Sequence, residues 1–170
     1  MNIVVQVEPT AKAPADVEYR WDADTDILTA SCRRDAVGEG LSGSVELTGS
    51  DGSWLILDIA SGSINGVEVA VWPDVRKRQT LEPPVHAEDA RLLVSPRKQP
   101  RDQHGLAAIE VDTALLAETD QAERTIHFRV GKSRAERTVR IARDILIDVD
   151  NAGRIAGVWL LNVPPFSTTV

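Results

Sequence analysis

Short runs of alternating apolar and polar residues, each stopped by Gly, Asp, Asn or Pro, fill most of this chain. Alternation with period 2 is the mark of a half-buried strand. Ile3–Val7 is a β-branched run ended by Pro9. Val17-Glu-Tyr19-Arg-Trp21 alternates, and the polar turn Asp22-Ala-Asp24-Thr-Asp26 returns the chain into Ile27–Cys32. Gly38–Gly43 reads as a flexible connection, and Gly49-Ser-Asp-Gly52 as a hairpin turn between Val45–Leu47 and Trp54–Ile59. Ile64–Trp72 alternates again. Further on, Ile109–Val111, Thr125–Val130, Arg137–Ile141, Ile145–Asp148 and Ile155–Val163 all read as strands. One stretch differs. Asp112–Arg124 predicts a short helix, with Asp112 or Thr113 as its cap and Leu115, Leu116 and Ala122 on its apolar side.

A longer-range pattern lies on top of the local one. Leu55-Ile-Leu-Asp58-Ile-Ala-Ser-Gly62-Ser-Ile64-Asn-Gly66-Val67 and Ile145-Leu-Ile-Asp148-Val-Asp-Asn-Ala-Gly153-Arg-Ile155-Ala-Gly157-Val158 share Asp, Gly, Ile, Gly and Val in order. Pro73 and Pro164 close the two copies. Self-similarity at this scale points to a duplicated β unit, because a unit that cannot bury its sheet face alone buries it on its copy. Residues 1–72 form the expected first unit and 106–170 the second. Between them, 73–105 holds five of the nine prolines and reads as an exposed connection around one ordered piece, Ala90–Val94. The expected fold is mainly β: two similar antiparallel meanders packed as a sandwich or barrel, with at most one or two short helices.

Composition narrows the function classes more than it names one. Apolar content of 42% and charged content of 26% are ordinary for a folded chain of 170 residues. A net charge of −7 argues against a nucleic-acid partner, whose footprint is a basic patch. The single cysteine, Cys32, cannot form an internal disulfide and fits a reducing, cytoplasmic setting. Arginine outnumbers lysine 15 to 4, a coding bias of GC-rich bacterial genomes. Neither a secretory leader nor a membrane span is legible in the apolar runs.

The second hairpin phrase, Ile147-Asp-Val-Asp-Asn-Ala-Gly153-Arg-Ile155-Ala-Gly157-Val158, resembles the closing signature of a small bacterial domain, the domain-of-unknown-function family numbered 2283. Tyr19-Arg-Trp-Asp22-Ala-Asp24-Thr-Asp26-Ile27-Leu28 is similar to that family's opening phrase. The resemblance covers about a quarter of the chain and implies a compact, strand-rich fold with no known activity. Its acidic residue after the final Gly-Val pair is present as Glu68 in the first copy and replaced by Trp159 in the second.

Candidate chemistry is sparse. Asp22, Asp24 and Asp26, and Asp148 with Asp150, have the look of calcium-loop fragments, but neither has the Gly at position six together with a bidentate Glu at twelve. They read as turns stabilised by Asp and Asn side chains, or as a low polar cluster if the turns converge. His86, His104 and His127 are scattered with no metal-ligand spacing, and Cys32, which ends an apolar strand before Arg33-Arg34, reads as a buried structural cysteine rather than a nucleophile paired with a distant His. No catalytic residue, metal or cofactor is expected. Four tryptophans against two phenylalanines and one tyrosine are unusual, and Trp159 and Trp72 are the candidates for a subunit interface. Two functions remain open. One is a non-enzymatic module that associates with itself, as a homodimer, or with a protein partner. The other is a small-ligand carrier or hydrolase-like enzyme with a pocket between the two copies lined by the Asp-rich turns.

Overall fold

The computed structural model describes residues 3–32, 42–94 and 108–166. Most of the Gly38–Gly43 connection, His104 and the final four residues lie outside the described residues. The rest is strand and turn, with no helix among the described residues. The first part of the chain gives β1 (Val5–Pro9), β2 (Val17–Trp21), β3 (Leu28–Cys32), β4 (Gly43–Thr48), β5 (Trp54–Ala60), β6 (Ser63–Val71) and β7 (Val75–Lys77). Then follow β8 (Ala87–Val94), β9 (Ile109–Asp112), β10 (Leu115–Thr119), β11 (Ile126–Val130), β12 (Arg137–Ala142), β13 (Ile145–Val149) and β14 (Ile155–Leu160).

The helix expected over Asp112–Arg124 is instead strand β10 and a turn. Leu115, Ala117 and Thr119 are buried while Leu116 is exposed, so the segment alternates with period 2 once its neighbours are known. β10 lies between β11, to which it pairs antiparallel, and β7, to which it pairs parallel. Thr113 N donates to Thr48 O at 2.9 Å, which carries the β4–β9 ladder one residue past Asp112. Two ladders outweigh the helix propensity of Leu-Leu-Ala-Glu, as tertiary context commonly does. The proline-rich segment is also more ordered than its composition suggests. It contributes β7, which joins β10, and the long strand β8.

The strands form one curled, open sheet in the order β7-β10-β11-β14-β13-β12-β8-β6-β5-β4-β9. β1 adds to β8, and β2 adds to β3, which itself pairs with β6. Two stretches of this order match. β3-β6-β5-β4 and β11-β14-β13-β12 are ladders of the same sense in the same relative sequence. Their hairpins agree in register as well. Asp58 faces Gly66 and Ile59 faces Ile64; Asp148 faces Gly157 and Val149 faces Ile155, with a bulge directly after each Asp. Gly62 and Gly153 both sit at φ 79°, a left-handed conformation that glycine adopts without a Cβ penalty. Val94 N bonds Gly62 O at 2.9 Å and Val5 N bonds Gly153 O at 2.8 Å, and Val5 faces Val94 in the β1–β8 ladder.

A single hydrophobic cluster lines the inside of the curl. It takes Leu28 and Ala30 from β3, Leu55, Leu57 and Ile59 from β5, and Val67 and Val69 from β6. From the other stretch come Ile126, Phe128 and Val130 of β11, Ile145 and Ile147 of β13, and Val158 and Leu160 of β14. Aromatic side chains staple the two stretches at one end. Trp21 stacks on Trp72 with ring centres 5.8 Å apart and meets Phe166 edge-on at 5.2 Å, while Trp72 lies 5.8 Å from Phe128.

Candidate functional site

The outward side of β11, β14 and β13 carries a polar cluster that no spacing in the sequence announces. His127 faces Trp159 across the β11–β14 ladder, and Gly157 faces Asp148 across β13–β14. A Cβ on Gly157 would fall 2.5 Å from Asp148 Oδ2 and 2.8 Å from His127 Nε2. With only hydrogen there, the imidazole and the carboxylate meet above β14 at 3.0 Å. Trp159 Nε1 donates to the same carboxylate oxygen at 3.1 Å, and its ring stacks on His127 with centres 4.0 Å apart. Thr138 Oγ1 donates to the other oxygen at 2.8 Å. Only 6% of the Asp148 side chain is exposed. Beyond His127 lies Glu118 on β10, whose carboxyl is held below its ordinary value chiefly by a hydrogen bond from Arg78 at 2.7 Å.

This arrangement does not build a nucleophile. The Thr138 hydroxyl donates to the carboxylate and not to the imidazole, so the hydroxyl–imidazole pair of an activated nucleophile is not formed here. What the cluster does is satisfy a buried carboxylate with donors from three strands, so that β11, β12 and β14 are tied through one residue of β13. A carboxylate so enclosed is tolerable only when its acceptor sites are filled.

The Asp-rich turns remain apart. Asp22 Oδ1 accepts from Asp24 N at 2.9 Å and Asp22 O from Asp26 N at 2.9 Å, and Asp26 takes a φ of 61°, all features of a polar turn. This turn lies near the end of β14, where Trp21 Nε1 donates to Pro164 O at 2.9 Å and Trp72 Nε1 to Asp26 O at 2.7 Å. Asp150 sits at the start of β14 instead, in the β13–β14 turn. Burial pushes its carboxyl up, but hydrogen bonds from Arg154 N, Ser133 and Ala152 N, and from Arg154 Nε at 2.8 Å, outweigh this and hold it below the ordinary value. No group of three or more His, Cys, Asp or Glu side chains able to hold a metal ion exists among the described residues. Beside Asp150 an open groove of about 420 Å³ runs between β1 and the β12–β13 ladder, lined in part by Val5, Val7, Glu136 and Val149.

The tryptophans divide otherwise than the sequence suggested. Trp159, expected at a subunit interface, is 6% exposed and is covered within its own chain by the stack on His127. Trp72 is half-buried in the aromatic staple. Trp54, opposite Val71, is the exposed one. Within β11 the period of two puts His127 on the face opposite Ile126 and Phe128. The sequence could not pair that face with Asp148, 21 residues further on, because the two strands meet only through the β11–β14–β13 register.

No helix among the described residues is long and apolar enough to cross a membrane. Compared with known proteins, the chain matches no protein-family model and no curated protein sequence.

Proposed function

We propose that this protein works by binding a copy of itself: a non-enzymatic β module that forms a homodimer through its sheet. The observation that carries this reading is the open sheet. Among the described residues, β2, β7 and β9 each have one ladder partner, so their outer edges keep backbone donors and acceptors that another chain can pair. The cluster around Asp148 supports it from the other side, since its polar atoms are spent on one another. A pocket between the two stretches, shared by the Asp-rich turns, has no support in the geometry, because those turns lie at opposite ends of the β13–β14 hairpin. The matched ladders support an origin by duplication, and the second hairpin supports kinship with the family numbered 2283. A cytoplasmic, bacterial setting belongs to the same reading and draws on the lone cysteine and the arginine-rich composition.

The test is light scattering coupled to size exclusion over a range of concentrations. A mass near twice 18.5 kDa is expected, and a monomer at every concentration sinks the reading.

A further inference from the structure

We infer that copies of this chain join head to tail, β7 of one lying parallel along β9 of the next; this rests on the self-association reading above. Of the edges with one ladder partner, β2 is the least free. Ala15 O, two residues before it, accepts from Arg143 N at 2.8 Å, and Glu18 already interacts within its own chain. The outer edges of β7 and β9 carry no such tie among the described residues. Successive residues of a strand turn their N–H and C=O to opposite edges. Arg78 N donates to Thr119 O at 2.8 Å, so Arg76 also turns towards β10, and Val75 and Lys77 turn outward. Thr113 N donates to Thr48 O at 2.9 Å, so Val111 turns towards β4, and Glu110 and Asp112 turn outward.

The side chains at these two edges are complementary. Val75 lies beside buried Ala117 and Arg76 beside Glu118, so the valine is on the core face and the arginine on the outer one. On β9, Ile109 and Val111 lie beside buried Val45 and Leu47, and Glu110 lies beside Glu46 on the outer face. Two acids side by side oppose pairing, yet neither has an ion pair or a side-chain hydrogen bond among the described residues. Arg76 adds only its field to Glu118, which Arg78 bonds at 2.7 Å. β7 against β7 would set cation on cation, and β9 against β9 acid on acid; only the mixed pair avoids both.

Parallel pairing with Lys77 opposite Val111 of the partner subunit satisfies both edges. Lys77 N then donates to Glu110 O of the partner subunit, and Lys77 O accepts from Asp112 N of the partner subunit. The same register sets Arg76 beside Glu110 of the partner subunit on the outer face. It also covers Val75, 43% exposed in the single chain, with Ile109 of the partner subunit on the core face. Lys77 keeps its ion pair with Glu123, because only its backbone is used. An antiparallel pair would instead set core-face Val75 and Lys77 against outer-face Glu110 and Asp112. A contact between two different edges is heterologous. A joined pair keeps one free β7 and one free β9, so the dimer is the first step and further copies add as the concentration rises.

The experiment is sedimentation velocity over a range of concentrations on the full chain and two variants, alone and in equimolar mixture, with near-ultraviolet circular dichroism to verify that each is folded. Arg76→Glu sets acid on acid at the junction and Glu110→Arg sets cation on cation. Each variant alone is therefore expected to associate about tenfold or more weakly than the original. In the mixture every junction between unlike variants pairs a cation with an acid, and association is expected within a few-fold of the original. Single variants that associate as the original does overturn the β7–β9 contact while leaving self-association standing. A mixture no tighter than the variants apart overturns the head-to-tail arrangement. A wild type that stays monomeric at every concentration overturns this contact together with the reading it rests on.

Discussion

Asp58 and Asp148 hold the same place in two hairpins, each opposite a glycine and each just before a bulge, yet their surroundings have little in common. Around Asp148 stand His127, Trp159 and Thr138, and every one of them bonds it. The residues in register around Asp58 are Thr29, Glu68 and Ser44. There Thr29 turns to Glu68, at 3.5 Å, and Asp58 has no side-chain partner among the described residues; partial burial alone raises its carboxyl from the ordinary value. The sheet follows suit. β13 and β14 are buried on both faces, whereas β5 alternates between buried inward and open outward positions. One backbone register therefore admits two side-chain solutions. The deciding residues are those beside and diagonal to the Asp: an imidazole and an indole can roof a carboxylate, while a threonine and a second carboxylate leave it to water.

Removing each carboxylate gives the largest contrast. Asp148→Ala strands the donors of Thr138, His127 and Trp159 in a covered site and is expected to cost about 3 kcal/mol, since each buried unsatisfied polar group costs about 1–3 kcal/mol. Asp58→Ala is expected to change stability by less than about 0.5 kcal/mol, as surface substitutions usually do. Urea unfolding of both variants checks this, and equal losses would erase the distinction between the two sites.

The glycines sharpen it next. Gly157→Ala drives a methyl group into Asp148 Oδ2 and His127 Nε2 and is expected to destabilise by about 2 kcal/mol. In an Asp148→Ala background the nearest of those atoms is gone, so the same substitution should cost less; a double-mutant cycle that comes out additive would refute the contact. At Gly66 the nearest atom is the backbone oxygen of Ala30, at 2.9 Å, and Asp58 Cβ stands at 3.6 Å. Gly66→Ala should therefore be insensitive to the presence of the Asp58 carboxylate.

Acid separates the two turns. Asp150, in the second turn, has a folded value below that of the free side chain, so it adds stability above the ordinary carboxylate range and loses it as the pH falls through and below about 4. The residues in register in the first turn, Ala60 and Ser63, bring no carboxylate. Asp150→Asn should flatten the fall of the melting temperature between about pH 5 and 3. An unchanged slope would assign the acid sensitivity elsewhere.

Most of the strands were legible in the sequence because a strand with one wet face writes its period into the chain, as Val17–Trp21 does. The hairpins were legible through Gly62 and Gly153, whose left-handed backbone is a local requirement. β10 was not. Leu115 and Leu116 are neighbours of which one is buried and one 59% exposed, and only the ladders to β7 and β11 decide which. The cluster at Asp148 was half legible: the Asp and the Gly stand in the repeated phrase, and the change from Glu68 to Trp159 marks where the copies part. His127 was unreadable as its partner, because residues diagonal across three strands are joined by register alone.

The smallest effect concerns the strands β2 and β10. Trp21 and Thr119 occupy corresponding places, Trp21 opposite Leu28 and Thr119 opposite Ile126. Trp21 has its polar atom satisfied by Pro164 O, but the Thr119 hydroxyl is buried with no hydrogen-bond partner among the described residues. Desolvating a hydroxyl without a replacement bond is a net loss, and valine has nearly the same shape without it. Thr119→Val is therefore expected to stabilise the protein by up to about 1 kcal/mol. Thermal unfolding would show a melting temperature higher by a few degrees at most. A loss of stability would mean that the hydroxyl does have a partner in solution, and that β10, like β2, is fastened through its last residue.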